Sequence, residues 1–506
     1  MLFNSYEFVF AFLPVCILIY YLLEKRGGGR GAKLWLIAIS FWFYGSFRAG
    51  YLLILIASMV FNYGTVLGMS RVKESVSYCK KMLLAVGILG NLGLLSYFKY
   101  VNFFIENINA LGGNLPLLQA ALPIGISFFT FSQISFLVDN YRGEIKSCGF
   151  MDYVLYISYF PKLVEGPIVF HTQMLPEFEQ IGKRGFDAGR FMRGLCLFVF
   201  GMLKKVVLAD TFGGAVDYGY SNLGSMHGTD AVLLVIFYAL QLYFDFSGYI
   251  DMAIGISRMF NIELPINFNS PYKARNIVDF WKRWHITLSR FFTKYVYIPL
   301  GGNREGIWRM YRNLLIVFLL SGLWHGSGMG INHSWNFILW GMLHGLLYVF
   351  TRMWQRRRAK PEEGSRVHNL KTSFLHGMSV LLTFGYVSVT WVYFRAESVT
   401  QGNELLRLVI KGGFTRVNKN LAEYFNLDEF WYVLKVLHLD SWEYGHYIMM
   451  FVITAFSLLL VFFGKNAMEI SEKIKPRVWS AVIMAGLFLW CVLAFSNVSS
   501  FLYFNF

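Results

Sequence analysis

Two histidines, each directly preceded by a tryptophan, are the side chains of this sequence best suited to proton transfer near a membrane. His325 ends the apolar run 314–324 and lies among four glycines. An ionisable group in such a segment is costly to bury and by default suggests function. Because a neutral imidazole is a competent general base near neutral pH, His325 is a candidate catalytic base. The alternative is a buried histidine that hydrogen-bonds to a neighbouring helix.

His285 is the second candidate, and it lies in residues 257–312, which are too polar to span a membrane yet rich in aromatic side chains. Placed on one helix, residues 276–297 gather apolar side chains on one face and charged side chains on the other. We therefore predict an amphipathic helix that lies at the membrane interface or caps the protein from the cytoplasm. His285 would lie beside its apolar face, and the alternative is an interfacial histidine in an aromatic cluster. The predicted apolar face comprises Ile277, Trp281, Trp284, Leu288, Phe291, Phe292 and Tyr295.

Carboxylates inside apolar segments form a smaller group of candidates. Asp245 and Asp251 both lie in residues 241–255. Asp245 could orient a histidine or bind a cation, but a structural polar network is the favoured interpretation for both residues. Glu165 could equally be a loop carboxylate near Lys162.

Basic side chains are concentrated in residues 273–312. Lipid contact and a cytoplasmic location are sufficient explanations for most of them, and Arg283 can pair with Asp279 one helical turn earlier. A few could instead hold the phosphate groups of a donor such as coenzyme A. The candidates for this role are Lys282, Arg283, Arg290, Lys294 and Arg304.

The composition indicates a membrane protein. Of the 506 residues, 56% are hydrophobic and 15% are charged, whereas about 25% are charged in an average soluble protein. A bilayer accepts the apolar exterior that this composition implies, but water does not. The formal net charge is +16, and the basic residues fall mainly in short loops, where they indicate topology and not nucleic acid binding.

Several common active-site patterns are absent from the sequence. It contains no P-loop, no dinucleotide-binding glycine pattern, no G-x-S-x-G and no H-E-x-x-H. Its five cysteines do not have metal-binding or redox spacing. We therefore expect no metal site and no permanently bound cofactor, and we expect histidine chemistry without a protein nucleophile of a standard type.

The elements that must position these residues are membrane-spanning helices. We predict an all-α, polytopic integral membrane protein that forms a single domain, residues 1–506, with about 11–12 crossings, because a crossing needs roughly 20 apolar residues. The basic loops place the N-terminus outside and residues 257–312 in the cytoplasm. The predicted spans are 6–23, 34–47, 51–69, 82–98, 121–138, 191–208, 231–256, 313–325, 334–350, 373–394, 447–463 and 479–496.

Five stretches of sequence resemble the membrane-bound O-acyltransferase (MBOAT) superfamily, and within it the bacterial branch typified by the alginate O-acetylation membrane protein. They cover most of residues 120–350, which we take as the motif-bearing core. The five stretches are SFFTFSQISFLVDNYRGE (127–144), SYFPKLVEGPI (158–168), LQLYFDFSGYIDMAIG (240–255), NFNSPYKARNIVDFWKRWHITLSRFFTKYVYIPLGGNR (267–304) and SGLWHG (321–326).

This resemblance implies a ring of helices around a thin centre, with a tunnel that joins the two sides of the membrane. It implies that His325 is the key catalytic residue and that His285 lines the same tunnel. We expect the substrate path to include Trp281, Trp284, Trp324, Asp245, Asn269 and Tyr503.

The resemblance also implies a function in the bacterial cytoplasmic (inner) membrane. We expect acetyl transfer from acetyl-CoA, or from an acyl carrier protein thioester, to an extracytoplasmic polysaccharide such as alginate or a related exopolysaccharide. A periplasmic acetyltransferase is the expected partner. Cellulose and peptidoglycan remain open as acceptors, and a transporter of acyl donors or a scaffold for a separate acetyltransferase are the non-catalytic alternatives.

A second branch of the superfamily transfers D-alanyl groups to teichoic acid and shares part of these motifs. The present sequence departs from that branch at YIPLGGNR (297–304) and DFSGYIDM (245–252). We therefore favour acetyl over D-alanyl transfer, which stays as the alternative.

The C-terminal residues 501–506, FLYFNF, resemble the end of a small membrane partner found in D-alanylation systems. The resemblance implies that this tail enters the outer funnel, where Tyr503 could briefly accept the acyl group. The alternative is an aromatic anchor at the outer interface.

Overall fold

The computed structural model describes most of the chain and is helical wherever it has regular secondary structure. Six described helices are long and apolar enough to cross a membrane, so the prediction of an all-α, polytopic membrane protein is confirmed. Those six helices are Glu7–Arg26, Ala49–Arg71, Ser77–Lys99, Gly228–Met259, Phe374–Arg395 and Gly445–Phe463. The described residues are 1–27, 29–73, 77–145, 148–326, 331–357, 370–425, 435–438, 442, 444–475, 477–497, 499 and 501–502.

The first part of the chain contains eleven of the described helices, and a π-helical turn, Glu7–Phe12, leads into the first of them. The helices are α1 Leu13–Gly27, α2 Gly29–Gly45, α3 Ala49–Arg71, α4 Ser77–Lys99, α5 Val101–Ala110, α6 Ile126–Tyr141, α7 Phe150–Ser158, α8 Phe160–Leu163, α9 His171–Glu179, α10 Ala188–Met202 and α11 Asp210–Ser221.

The second part of the chain contains the longest helix and the two histidine segments. Its helices are α12 Gly228–Met259, α13 Ile277–Trp281, α14 Ile286–Phe292, α15 Ile307–His325, α16 Ile331–Arg357, α17 Leu370–Arg395, α18 Val399–Lys411, α19 Lys419–Glu423, α20 Gly445–Phe463, α21 Ala467–Lys473 and α22 Val478–Leu493. The π-helical segments Leu203–Ala209 and Thr293–Tyr297 continue α10 and α14.

Helix α12 is the centre of the fold. Its 32 residues correspond to about 48 Å, longer than the thickness of a bilayer core. In its most apolar window 89% of the residues are buried, compared with 17% in α4. Helix α12 therefore contacts protein on nearly all sides, whereas α4 lies at the lipid-facing periphery.

Glycines bring α10 and α12 into close contact. A Cβ atom added to Gly201 would lie 2.6 Å from the carbonyl oxygen of Gly248, and one added to Gly255 would lie 2.6 Å from that of Gly194. Small residues at such positions let helix backbones approach closely inside a membrane. This contact fixes Asp245 and its neighbours on α12 relative to α10.

Contacts between distant loops agree with the predicted topology. Arg395 pairs with Asp217 at 2.7 Å, and both lie in or beside loops that the charge pattern assigns to the outside. Arg258 pairs with Glu472 at 2.7 Å, and both belong to regions assigned to the cytoplasm. Segments predicted to share a side of the membrane are thus in contact.

The prediction of one continuous amphipathic helix over residues 276–297 is wrong. The structure divides it into α13, α14 and a π-helical segment, because the backbone of His285 adopts φ 44°. The apolar side chains after the break pack against Phe131 of α6 and Trp324 of α15. This segment therefore enters the protein and does not lie flat on its surface, although the predicted Asp279–Arg283 ion pair is present at 2.9 Å.

Candidate active site

The packing of α15 against α16 fixes the position of His325. A Cβ atom added to Gly322 would lie 2.5 Å from the carbonyl oxygen of Phe337, and one added to Gly341 would lie 2.5 Å from that of Phe318. Only glycine permits so close an approach. The 19 residues of α15 rise about 28 Å, so His325 lies far from the basic loop at the start of the helix.

His325 is enclosed by aromatic side chains and is 3% exposed. Its ring centroid lies 4.6 Å from that of Trp324, 5.2 Å from that of Phe394 and 5.4 Å from that of Trp340. An imidazole in such an apolar enclosure is more costly to charge than one in water. The surroundings thus favour the neutral form, which a general base requires.

His285 is held in place by Asn267, which lies 18 residues earlier in the chain. The left-handed backbone of His285 is a strained conformation for a non-glycine residue, at a cost of about 1–3 kcal/mol. The Asn267 carbonyl accepts a hydrogen bond from the Ile286 N–H at 3.0 Å. The side-chain oxygen of Asn267 accepts from the Thr287 N–H at 3.0 Å. These bonds hold the backbone on the C-terminal side of His285.

The side-chain amide of Asn267 also determines which ring nitrogen of His285 carries the proton. Oδ1 of Asn267 must be the acceptor, because it receives the backbone N–H and the hydroxyl of Thr287. The Nδ1 atom of His285, 3.3 Å from this oxygen, is therefore the donor, and Nε2 has the lone pair. Nε2 is buried and has no hydrogen-bond partner among the described residues. His285 thus presents an unused basic nitrogen.

The two histidines meet at Trp324. The His285 ring centroid lies 6.4 Å from that of Trp324, which in turn contacts His325. Phe246 of the central helix packs edge-on against His285 at 4.9 Å. The structure therefore brings three predicted residues together in one cluster: His285, Trp324 and His325.

A small cavity opens beside this cluster. It has a volume of about 30 Å³, and its lining includes Lys99, Ser127, Glu165, Trp324 and His325. This is room for a water molecule but not for an acyl thioester. The tunnel implied by the resemblance stays a prediction, since a bulky donor could reach this cavity only after a movement of its walls.

Lys99 and Glu165 bring two ionisable side chains to the cavity. The Lys99 side-chain nitrogen donates to the carbonyl oxygen of Trp324 at 2.6 Å and lies 5.1 Å from the centre of its indole ring. Glu165 is 2% exposed, and its Oε1 atom has no hydrogen-bond partner in the described part of the chain. Buried groups of this kind are rare unless they have a function or a charged partner. Sequence reasoning did not select Lys99, although an ionisable residue at the end of span 82–98 was a usable signal.

Trp281 and Trp284 pack against the aromatic side chains and the histidine that surround the cluster. The Trp281 indole N–H donates to Nδ1 of His344 at 3.3 Å. Trp284 packs against Trp391 at 5.0 Å, and Trp391 stacks on Trp340, which contacts His325. His344 was missed in the sequence analysis, although a histidine inside the apolar span 334–350 was a recognisable signal.

Asp245 lies in a charged network at the root of the C-terminal segment. Lys205 donates to Asp245 at 2.7 Å and to Asp210 at 2.8 Å. The backbone N–H of Leu502 donates to the other oxygen of Asp245 at 3.1 Å. Asp245 thus anchors the tail, in agreement with the polar network favoured from the sequence. Tyr503 lies outside the described residues.

The five basic candidates fall into two groups. Arg283 is paired with Asp279, and Lys294 is paired with Asp139 at 2.9 Å and Glu144 at 2.7 Å. Burial opposes the charge of Lys294, but hydrogen bonds from its ammonium to Glu144 and Asp139 raise its pKa above the ordinary value. The charges of these two residues are therefore already matched within the protein.

The other three candidates are exposed and make no ion pair with any described residue: Lys282, Arg290 and Arg304. Asn269 is half-buried and accepts a hydrogen bond from Asn466 at 3.3 Å, on the side of the basic loops. The structure thus places Asn269 near the basic face, and it records no contact of Asn269 with either histidine among the described residues.

Comparisons with known proteins extend over the whole of this arrangement. The family model described as MBOAT, membrane-bound O-acyltransferase family, matches residues 36–369. The chain is 36% identical to a peptidoglycan O-acetyltransferase of Helicobacter pylori over an alignment of 539 residues, which covers 100% of this chain and 98% of the relative.

Two further relatives are named for other acyl-transfer reactions. A protein of Pseudomonas aeruginosa named "Probable alginate O-acetylase AlgI" is 36% identical over 407 residues, covering 79% of this chain and 73% of the relative. A teichoic acid D-alanyltransferase of Streptococcus thermophilus is 24% identical over 291 residues, covering 54% of this chain and 68% of the relative.

Proposed function

Because this chain belongs to the membrane-bound O-acyltransferase family, we propose that it transfers an acetyl group from cytoplasmic acetyl-CoA to a glycan hydroxyl outside the bacterial inner membrane. The observation that carries this proposal is the meeting of two buried histidines at Trp324, at the end of α15 remote from its basic loop. Such a location suits a reaction whose donor and acceptor come from opposite sides.

The proposed reaction exchanges a thioester for an oxygen ester. His325 accepts the proton of the acceptor hydroxyl while its oxygen attacks the thioester carbonyl. The C–O bond forms, the C–S bond breaks, and the departing thiolate takes the proton from His325, which gives free coenzyme A and restores the neutral base. Lys99, which lines the same cavity as His325, supplies a donor for the negative charge on the carbonyl oxygen. His285 orients the reacting groups through Nε2.

The donor is proposed to bind at the basic face through Lys282, Arg290 and Arg304. These three side chains are exposed and unmatched by carboxylates in the described structure, so they are available to phosphate groups. Arg283 and Lys294 instead stabilise the loop that carries them. An acyl carrier protein thioester would present a phosphate to the same face.

Peptidoglycan is the favoured acceptor. The relative named peptidoglycan O-acetyltransferase aligns along nearly its entire length with this chain, whereas the alginate O-acetylase relatives align over 79% at the same identity. Alginate or another exopolysaccharide is the second candidate, supported by those relatives. D-alanyl transfer is less favoured because its relative is only 24% identical over about half of the chain. A periplasmic acetyltransferase is proposed as the partner that completes the transfer.

The test is a comparison of esters in cells with and without the gene, combined with a donor assay in membrane vesicles. We expect alkali-labile acetyl groups on peptidoglycan only in cells that express the protein, and labelled acetyl-CoA as a competent donor. The variant Lys282→Gln/Arg290→Gln/Arg304→Gln should raise the KM for acetyl-CoA about tenfold or more with a smaller effect on kcat, since each charged contact contributes on the order of 1 kcal/mol. Labelled acetyl on exopolysaccharide alone would select the second acceptor, and an unchanged KM would contradict the donor site.

A further inference from the structure

A deep groove on the outside of the helix bundle is separate from the histidine cluster. It has a volume of about 950 Å³ and lies between α1, α10, α22 and the turn 182–186, with Phe488 as the contribution of α22 and Met259 of α12 at its base. Its walls are mainly aliphatic and aromatic. Four of its large apolar side chains remain substantially exposed: Leu18 at 62%, Phe186 at 58%, Leu22 at 46% and Leu195 at 40%. A groove with such walls suits an acyl chain.

The groove follows most of the first candidate membrane span, Glu7–Arg26. Its lining runs from Val9 to Lys25 along the first helical segment, which corresponds to about 24 Å of helix. One lipid leaflet occupies about 15 Å, half of the bilayer core. The groove is therefore long enough to enclose a phospholipid acyl chain along its full length.

Positive charge is confined to one end of the groove. Lys25, Lys183 and Arg184 line that end together with a single carboxylate, Glu24. Arg184 is paired with Glu177 at 2.8 Å, whereas Lys25 and Lys183 are exposed and make no ion pair with the described residues. The two lysines therefore remain available to an anion at the cytoplasmic end of the groove.

The turn that presents Lys183 is fixed by two hydrogen bonds and one aromatic contact. The Gly182 N–H donates to Glu24 of α1 at 2.9 Å. The Asn261 side chain donates to the Gly185 carbonyl at 2.9 Å. Phe186 packs edge-on against Tyr21 at 5.1 Å and covers the lower wall of the groove. The cationic end is thus preorganised relative to the apolar walls.

From this combination we infer that the groove is a binding site for one anionic phospholipid of the cytoplasmic leaflet. Its phosphate would lie between Lys25 and Lys183, and one acyl chain would extend along Leu18, Leu22 and Leu195. The basic end faces the leaflet surface where anionic headgroups lie, and the apolar walls match the chain in both length and character. A zwitterionic lipid would gain less from the same lysines.

The test uses the full-length protein, purified in detergent, stripped of lipid and titrated with phosphatidylglycerol or phosphatidylcholine in native mass spectrometry. We expect phosphatidylglycerol to bind at least about fivefold more tightly, and Lys25→Gln/Lys183→Gln to remove that preference, because each lysine near an anionic lipid contributes roughly fivefold in affinity. The matched control is Lys73→Gln/Lys81→Gln, which changes two exposed lysines away from the groove.

A second pair of variants tests the apolar part of the site without changing charge. Leu195→Trp should fill the groove and lower the binding of both lipids, whereas Leu382→Trp, at an exposed position of α17 outside the groove, should leave it unchanged. Equal binding of the two lipids to the unmodified protein would overturn the inference. So would a Lys25→Gln/Lys183→Gln variant that keeps the preference, or a Leu195→Trp variant that binds lipid as the control does.

Discussion

At the scale of single residues, the site depends on which nitrogen of His285 has the proton. The assignment follows from Thr287, whose N–H and hydroxyl both donate to Oδ1 of Asn267. That oxygen can then only accept from Nδ1 of His285, which leaves the lone pair on Nε2. Asn267 is therefore a positioning residue for His285, although only its place in a motif stretch distinguished it in the sequence.

Replacing Asn267 tests this role. Asn267→Leu removes the acceptor, so kcat should fall on the order of a hundredfold, the lower range for a positioned acid–base group. Asn267→Asp keeps an acceptor and should retain most of the activity, with the acidic limb of its pH–rate profile moved to higher pH, because a carboxylate stabilises the imidazolium form. Equal losses and unmoved pH profiles in both variants would contradict a positioning role.

At the scale of helices, the location of His325 depends on the contact between α15 and α16. The glycine pair Gly322 and Gly341 permits a separation that no larger residue allows. The cluster of glycines around His325 was visible in the sequence. Its partner on α16 was not, because the register between two helices is a property of the packed structure.

A methyl group at this contact should displace His325. Gly322→Ala should destabilise the protein by about 1–3 kcal/mol, as overpacked cores do, and should lower transfer activity as well. Gly377→Ala in α17 is the matched control, because an added Cβ there meets no atom within 4 Å. Thermal unfolding in detergent provides the comparison, and identical curves for the two variants would refute the importance of the helix contact.

The C-terminal segment is a second element whose position depends on packing. Phe501 is fully buried, its ring lies 4.9 Å from that of Tyr249, and the next N–H donates to Asp245. The family resemblance implied that the tail enters the outer funnel, whereas composition alone favoured an aromatic anchor at the interface. Only the structure shows that an aspartate of the central helix receives it.

Asp245→Asn should loosen this attachment. The amide keeps the shape but loses the charge that pairs with Lys205, so digestion by carboxypeptidase should be faster, on the order of tenfold for a loss of about 1.4 kcal/mol. Asp251→Asn is the matched control, since Asp251 lies on the same helix and pairs with Lys204 instead. Equal digestion of the two variants would argue against the attachment.

Removal of the tail tests its role in transfer. Deleting residues 501–506 should abolish transfer at an unchanged amount of protein in the membrane, because the tail is proposed to extend from its anchor at Asp245 toward the site. Tyr503→Phe separates packing from chemistry: loss of activity would support an acyl-accepting hydroxyl, and normal activity would restrict the tail to a structural part. Full activity without residues 501–506 would contradict both roles.

At the scale of the whole molecule, the composition predicted that the protein lies in a membrane, and the charge pattern predicted which loops share a side of that membrane. The low charged fraction predicted a membrane protein, and six described helices meet the length and hydropathy of a span. The loops assigned to each side by their charge contact one another, as the Arg395–Asp217 and Arg258–Glu472 pairs do. These properties depend on residue type alone, which a single sequence contains.

The break at His285 and the cavity at His325 could not be predicted in the same way. No glycine or proline interrupts residues 276–297, so the periodicity indicated one helix. The left-handed turn depends on Asn267 and Thr287, which are contacts of the folded state. Likewise, Lys99 and Glu165 come from segments remote in sequence and meet His325 only in the packed bundle.

The central claim is that His325 is the base in acyl transfer. The most direct measurement is transfer of radiolabelled acetyl from acetyl-CoA in membrane vesicles, comparing the unmodified protein with His325→Ala at equal amounts of folded protein. We predict a loss of labelled acceptor on the order of a hundredfold or more. Labelling retained at the unmodified rate would contradict the claim and assign His325 a structural role.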